Sequence, residues 1–129
     1  MPIDPEVIET ATVIWRLSAD GILHGLVKSS SPEDTLATAK ENIDALERLA
    51  AGRLLPVFVD VRKVRTLPRE TRLAYAKDTA AFNVATALLV ESAFSWIVAN
   101  FVILLTNPAK SFRLFTDEEE ALEWLRTFL

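Results

Sequence analysis

Residues 84–105 form an apolar run of 22 residues with a single charged side chain, Glu91. Its length would suffice for one membrane-spanning helix. The run also fits two shorter elements, because Glu91 and Ser92 interrupt it and a serine can cap a helix. We expect this second arrangement, with a buried strand over 84–90 and a helix over 93–105.

A membrane span across this run is disfavoured on two grounds. It would place Thr86 and Asn100 in lipid, and it lacks the basic flanking residues that orient membrane helices. Residues 1–6 have neither the basic nor the apolar segment of a secretory signal peptide. We therefore expect a cytoplasmic chain with no membrane span.

The composition narrows the class of protein further. Half of the 129 residues are hydrophobic, which is enough to build the core of one domain over residues 1–129. The absence of cysteine excludes disulfides and thiolate metal sites. A net charge of −4 argues against a nucleic acid as partner.

Strand and helix patterns alternate along the whole chain. Apolar side chains alternate in strand fashion at the N-terminus, and later segments carry helical spacing. The predicted strands cover 6–17, 22–28, 54–61, 84–90 and 111–115, and the predicted helices cover 32–51, 68–82, 93–105 and the segment after 116–119. The order ββαβαβαβα predicts an α/β fold with a mostly parallel sheet, an antiparallel N-terminal hairpin and helices packed on the sheet.

Turn and capping signals support these boundaries. Asp20-Gly21 has the residue types of a tight hairpin turn with positive φ. Ser31 is predicted to cap the first helix, and a capping box beginning at Thr116 is predicted to start the last one. The predicted apolar stripes are Leu36, Ala39, Ile43, Leu46 and Ala50 in the first helix, Leu73, Ala76, Lys77 and Ala80 in the second, and Ala121, Leu122, Leu125 and Phe128 in the last.

Four segments resemble a known bacterial family. They are Asp20-Gly21-Ile22-Leu23-His24, residues 55–61 ending in Asp60-Val61, residues 92–95 with 99–101, and residues 112–125, which are the most specific. The chain resembles the SpoIIAA-like (STAS/SEC14-type) bacterial family of unassigned function. The resemblance implies a STAS-like fold and no particular reaction.

The resemblance also raises the question of phosphorylation. Anti-sigma-factor antagonists with this fold carry a phosphorylatable Ser or Thr at the start of the helix that follows the strand ending in Asp. Here that place falls near Pro68-Arg69, neither of which can be phosphorylated, while Thr66 and Thr71 miss the position. The resemblance therefore implies no phosphoserine-driven partner switch in this chain.

Candidate chemistry is sparse. His24 is the single histidine, and neither a Gly-x-Ser-x-Gly elbow nor a second set of metal ligands accompanies it, so we interpret it as a structural or surface residue. Asp60 closes a central strand, where ligands bind in open α/β sheets. It either takes part in a site or has a structural role, in which it caps a turn or pairs with Arg62 or Arg72. An enzyme using Asp60 with Arg72 would lack an acid/base partner.

Basic residues concentrate after Asp60. A phosphate, a nucleotide or an acidic partner would suit them, because a helix N-terminus also attracts anions. A solvated basic surface is the alternative, and no glycine-rich phosphate loop is present. The candidate ligand or anion site comprises Asp60, Arg62, Arg65, Arg69 and Arg72.

The helix predicted over 93–105 is apolar on nearly all sides. A surface helix normally has a polar outer face, so an apolar one indicates a contact. We expect a homodimer in which this helix meets its own copy, with the interface at Trp96, Ala99, Asn100 and Ile103. The alternative is that other helices of the same chain cover it.

The sequence thus predicts a non-enzymatic interaction or ligand-sensing module without a cofactor. Its partner is a second copy, another protein or a small apolar ligand. The second interpretation is a binder of a lipid or similar apolar molecule, which SEC14-type proteins suggest, with Trp96, Phe101 and Phe82 lining the pocket.

Overall fold

The computed structural model describes residues 6–28, 35–64, 68–78, 83–92 and 111–129. Its strands are β1 (Val7–Glu9), β2 (Val13–Leu17), β3 (Leu23–Val27), β4 (Leu55–Asp60), β5 (Asn83–Leu89) and β6 (Ser111–Phe115), and its helices are α1 (Leu36–Ala50), α2 (Arg69–Asp78) and α3 (Glu118–Arg126). The helix predicted over 93–105 lies outside the described residues. Within the described ranges, no helix has the length and apolar character needed to cross a bilayer.

The six strands form one sheet in the order β1-β2-β3-β4-β5-β6. The pairs β1–β2 and β2–β3 are antiparallel, and β3, β4, β5 and β6 are parallel to one another. The α/β fold with an antiparallel N-terminal part is therefore confirmed.

Helices cover the two faces of the sheet unequally. On the first face, α1 and α2 bury Val13, Trp15, Leu23, Leu55 and Val57 together with the inner side of α1. On the second face, which we call the α3 face, α3 buries Ile22, Phe58, Ala85, Ala87, Leu89 and Phe115. β4 and β5 are buried on both faces of the sheet. The first part of the apolar run, residues 84–90, is therefore apolar because it lies in the core.

The strand predicted over 6–17 is in fact two antiparallel strands, so this boundary was wrong. The Thr10 hydroxyl donates to the carbonyl of Val13 (3.1 Å) and accepts the backbone N–H of Val13 (3.1 Å). The backbone N–H of Thr10 also donates to the Val13 carbonyl at 2.9 Å. A threonine side chain thus closes the turn without Gly, Pro or Asn, which left no turn signal in the sequence. The break changes the parity, so Ile8 packs on the first face while Val7 is exposed.

The turn between β2 and β3 contains the predicted Asp20-Gly21 pair, but only Gly21 has a positive φ (94°). The Ser18 backbone N–H donates to the Ile22 carbonyl at 3.0 Å and the Gly21 N–H to the Ser18 carbonyl at 3.0 Å. The hairpin itself is confirmed.

Helix starts are the least well predicted boundaries. Thr35, not Ser31, caps α1, and Thr38 completes a capping box with it. Asp117, not Thr116, caps α3 through a bond from the Glu120 N–H at 3.3 Å. The end of α1 is as predicted, because Ala51 and Gly52 adopt positive φ.

The predicted stripe of α2 was wrong at Leu73 and Lys77, while the side chain of Ala76 and all of Ala80 lie outside the described part of the chain. Leu73 is 40% exposed and Lys77 is exposed, while Thr71 is fully buried and Ala74 and Tyr75 pack against the α1 cluster. Helical spacing alone did not distinguish these two sides, because α2 carries polar residues on its inner side.

Candidate functional site

Asp60 is the last residue of β4 and lies on the α3 face. Its neighbours across the sheet are Leu26 of β3 and Leu89 of β5. Only 8% of the residue is exposed. A carboxylate is thus held at the carboxyl end of a central parallel strand, the place where open α/β sheets bind ligands.

The Asp60 carboxylate is fully engaged by Arg62. Nε of Arg62 donates to Oδ1 at 2.9 Å, and the guanidinium NH2 group donates to Oδ2 at 2.7 Å. The backbone N–H of Arg62 donates to Oδ1 at 3.1 Å. The guanidinium thus forms a bidentate ion pair with the carboxylate, and the backbone bond closes a local turn. Together they hold the carboxylate in one orientation. Of the two roles that the sequence left open, pairing with Arg62 is what the structure contains.

Each member of the Asp60–Arg62 pair shifts the pKa of the other so that the charged form is favoured. Burial pushes the pKa of Asp60 upward, but the hydrogen bonds from Arg62 and the charges of Arg62 and Lys63 outweigh it, and the pKa lies below its ordinary value. The hydrogen bond to Asp60 raises the pKa of Arg62, and Glu118 and Glu91 act in the same direction. Both groups therefore stay ionised at neutral pH, and Asp60 is unsuited to general acid chemistry.

The structure describes only some of the other residues of the predicted anion site. Arg69 is exposed in the first turn of α2, and Arg72, one turn later, is half-buried. Lys63 is exposed in the turn after Asp60. Arg65 lies outside the described residues, as do Trp96, Ala99, Asn100 and Ile103 of the predicted interface and the aromatic residues Phe82 and Phe101. The anion site and the dimer interface accordingly stay predictions.

His24 points to the α3 face from the middle of β3. Its ring centroid lies 5.6 Å from that of Phe58, and Arg16 is its direct cross-strand neighbour. Burial lowers the pKa of His24, and the charge of Arg16 lowers it further. In the described part of the chain, no group of three or more His, Asp or Glu side chains gathers into a metal site.

The sequence interpretation missed a buried polar cluster around Asn42 of α1. Oδ1 of Asn42 accepts from the Thr10 hydroxyl at 2.5 Å and from Nε1 of Trp15 at 2.9 Å. Its Nδ2 donates to the hydroxyl oxygens of Thr12 at 2.8 Å and Tyr75 at 3.0 Å. We call these five residues the Asn42 cluster. It joins the β1–β2 turn, α1 and α2, and the signal was present, since Asn42 falls in the apolar stripe between Ala39 and Leu46.

A second missed feature is the part of the α3 face that lies over β1, β2 and β3. Its outward residues, which we call the open half, are Val7, Glu9, Ile14, Arg16, His24 and Leu26. Val7 is 51% exposed and Leu26 is 49% exposed. Val7 and Glu9 belong to the open half because the break at Thr10 changes the parity of β1, which the single strand predicted over 6–17 could not show.

Comparisons with known proteins fit this fold. An uncharacterised protein of the DUF3478 family from Shewanella loihica PV-4, whose crystal structure has a SpoIIAA-like fold, superposes with a TM-score of 0.63. The alignment covers 97% of this chain and 98% of that one at 17% identity, which shows the fold alone and confirms it as SpoIIAA-like. No curated protein matches the chain. A family model described as a domain of unknown function, DUF7793, matches residues 15–129, and the chain therefore belongs to the DUF7793 family.

Proposed function

We propose that this chain is a non-enzymatic interaction or ligand-sensing module that works as a homodimer. The observation that carries the proposal is the Asp60–Arg62 pair. At the edge of the sheet where a SpoIIAA-like domain would place a reacting group, the carboxylate already has three hydrogen bonds from Arg62. A SpoIIAA-like fold is also not a typical enzyme fold.

The local chemistry supports binding more than catalysis. Acid/base catalysis needs a group whose pKa lies near the working pH. Burial and the charge of Arg16 lower the pKa of His24, and Arg62 lowers that of Asp60, so neither shift is toward the raised pKa of a general acid. The same side of the sheet offers exposed apolar side chains at Val7 and Leu26, which suits contact with another molecule.

The proposed dimer uses residues 93–105, with Trp96 and Ile103 at its centre. The sequence supports this, because the segment is apolar on nearly all sides. A two-fold contact of the segment with its own copy needs no second partner. The module would then differ from phosphorylation-driven antagonists of the same fold, since Pro68-Arg69 stands where their acceptor is.

Sedimentation velocity tests the dimer. We expect the wild-type chain to sediment as a dimer and a Trp96→Glu, Ile103→Glu variant as a folded monomer. The charge-matched control is Lys40→Glu, on the exposed side of α1, which should sediment like the wild type. If the double variant keeps its far-ultraviolet spectrum and still sediments like the wild type, the interface is wrong.

Native mass spectrometry of the purified chain tests the ligand alternative. A module that works by protein contact should give the mass of the chain or of its dimer without added mass. A reproducible extra mass that organic extraction removes would instead favour the binder of an apolar molecule over a module that works by protein contact alone.

A further inference from the structure

The open half has the width of one helix. Six strands spaced about 4.8 Å apart span roughly 24 Å, and a helix with its side chains is about 10 Å across. A face of this sheet therefore takes two helices side by side. On the α3 face, α3 contacts β4, β5 and β6, and Val7 and Leu26 remain about half exposed on the other side.

The centre of the open half is apolar. Ile14 of β2 and Leu26 of β3 are direct cross-strand partners. Val7 of β1 is paired with Arg16, which is paired in turn with His24. The outward residues thus form a small apolar patch that lies beside an arginine and a histidine.

The charges around the patch are balanced except at Arg16. Glu9 forms an ion pair with Lys28 at 2.7 Å, and Asp60 is held by Arg62 at 2.7 Å. Arg16 has no carboxylate within 4.0 Å among the described residues. Burial and the charge of Arg16 lower the pKa of His24, while Asp20, which is ion-paired with Arg126 at 3.8 Å, raises it. Among the described residues, Arg16 is therefore the cation of the open half that has no carboxylate at ion-pair distance.

The charge of Arg16 indicates which kind of molecule would bind the open half. A second copy placed face to face by two-fold symmetry would bring another Arg16, while the carboxylates of Glu9 and Asp60 are already paired. The open half is also only roughly 250 Å² in plan, from the strand spacing and a rise of about 3.4 Å per residue. Each side of a standard interface buries about 800 Å², so the open half alone is too small for a dimer interface of standard size.

We propose that the open half binds an amphipathic helix of a partner protein, with apolar residues on Ile14, Leu26 and Val7 and a carboxylate against Arg16. This inference rests on the proposed interaction function and names its partner class. The helix would lie beside α3 and complete the α3 face, as α1 and α2 lie side by side on the first face.

A peptide with the sequence of residues 116–129 is a suitable probe. It carries Asp117 and Glu118–Glu120 ahead of the apolar stripe that α3 uses on the same sheet face. Its control is the same peptide with the residues at 118–120 changed to Gln. Both are titrated into the isotope-labelled full chain and followed by NMR.

We expect saturable shifts at Ile14, Arg16 and Leu26 with the acidic peptide. Arg16→Glu should raise Kd by at least ~10-fold, because it reverses one charge of the contact. Lys40→Glu, the remote control, should leave Kd unchanged. Binding should weaken with added salt, since the contact is exposed to solvent.

Three results would overturn the inference. They are no saturable shift at ~1 mM peptide, a weak limit for any specific contact; equal binding of the Gln peptide; and shifts confined to Ile22, Phe58 and Phe115, which would mean that the peptide replaces α3. A chain that fails these tests but still dimerises through residues 93–105 would leave the proposed function intact.

Discussion

Asn42 provides the sharpest test of how this fold is held together. It is fully buried and uses both donors and both acceptor positions of its amide within the Asn42 cluster. Asn42→Ala removes all four hydrogen bonds at once. The Thr10 hydroxyl keeps the Val13 carbonyl as a partner, whereas the indole N–H of Trp15, a residue that is 3% exposed, loses its acceptor.

The expected cost follows from these contacts. A buried donor left without an acceptor costs about 1–3 kcal/mol. The cavity left by three side-chain atoms adds about 1 kcal/mol at about 24 cal/mol per Å³. The better helix propensity of alanine returns about 0.5 kcal/mol. We therefore expect the free energy of unfolding to fall by about 1.5–3.5 kcal/mol, a large part of the about 5–15 kcal/mol of a typical domain.

Urea denaturation followed by circular dichroism measures this loss. The matched control is Asp44→Ala, an exposed position in the same helix, which should change the free energy of unfolding by less than about 0.5 kcal/mol. A loss below about 1 kcal/mol for Asn42→Ala would refute the reasoning, because it would mean that the freed groups find water or other partners.

Three further predictions concern single side chains. Gly25→Ala should destabilise by about 1–3 kcal/mol, because the added Cβ would lie 2.3 Å from Cζ3 of Trp15; an unchanged urea midpoint would contradict this packing. Arg62→Ala should cost about 1–2 kcal/mol at neutral pH, after allowance for the half-exposed arginine. Since the pKa of Asp60 is depressed, this contribution is present above the unfolded value of about 3.9 and is lost as the pH falls below it, so wild type and variant should converge in acid; a constant difference down to low pH would exclude the pair as its source. His24 has a pKa below its ordinary value of about 6.5, so stability should be full above that pH and fall as the pH drops from it toward the folded value. Because the chain has one histidine, His24→Gln should abolish this fall; if the fall persists in the variant, another group is responsible.

The order of elements could be predicted because burial leaves a periodic signal. β4 and β5 are covered on both faces, and both appear in the sequence as continuous apolar runs. The stripe of α3 matches its packing, with Ala121 and Leu125 fully buried. These features depend on which side chains are buried, and the pattern of apolar residues in the sequence predicts this.

The missed features depend on side-chain hydrogen bonds and on parity. The turn at Thr10 uses a hydroxyl where glycine or asparagine would be typical, and the break reverses which residues of β1 face α1. Asn42 and Thr71 are polar residues on the buried sides of their helices, so a stripe defined by apolar residues alone leaves them out even where, as for Asn42, the spacing fits the stripe. The open half could not be seen until the break at Thr10 was known, because the corrected parity places Val7 and Glu9 on the same side of the sheet as Ile14 and Arg16.

The sequence predicted where the candidate site lies, but not whether its carboxylate is already paired with an arginine. The end of a central strand identified Asp60, and the sequence left it open whether this residue serves a ligand or Arg62. Three distances between 2.7 and 3.1 Å show that Asp60 pairs with Arg62, while its part in a ligand site stays a prediction. No periodic pattern contains that information, since the pairing depends on the turn geometry of two residues.

The protonation of Asp60 tests most directly the claim that Arg62 already engages this carboxylate in an ion pair. The ¹³C chemical shift of its side-chain carboxyl, followed by NMR as a function of pH in the full chain, gives its pKa. The account predicts a value below the ordinary value of about 3.9, which rises toward it in the Arg62→Ala variant. A value above the ordinary one, or one that the loss of Arg62 leaves unchanged, would contradict the account and reopen the edge of the sheet as a reactive site.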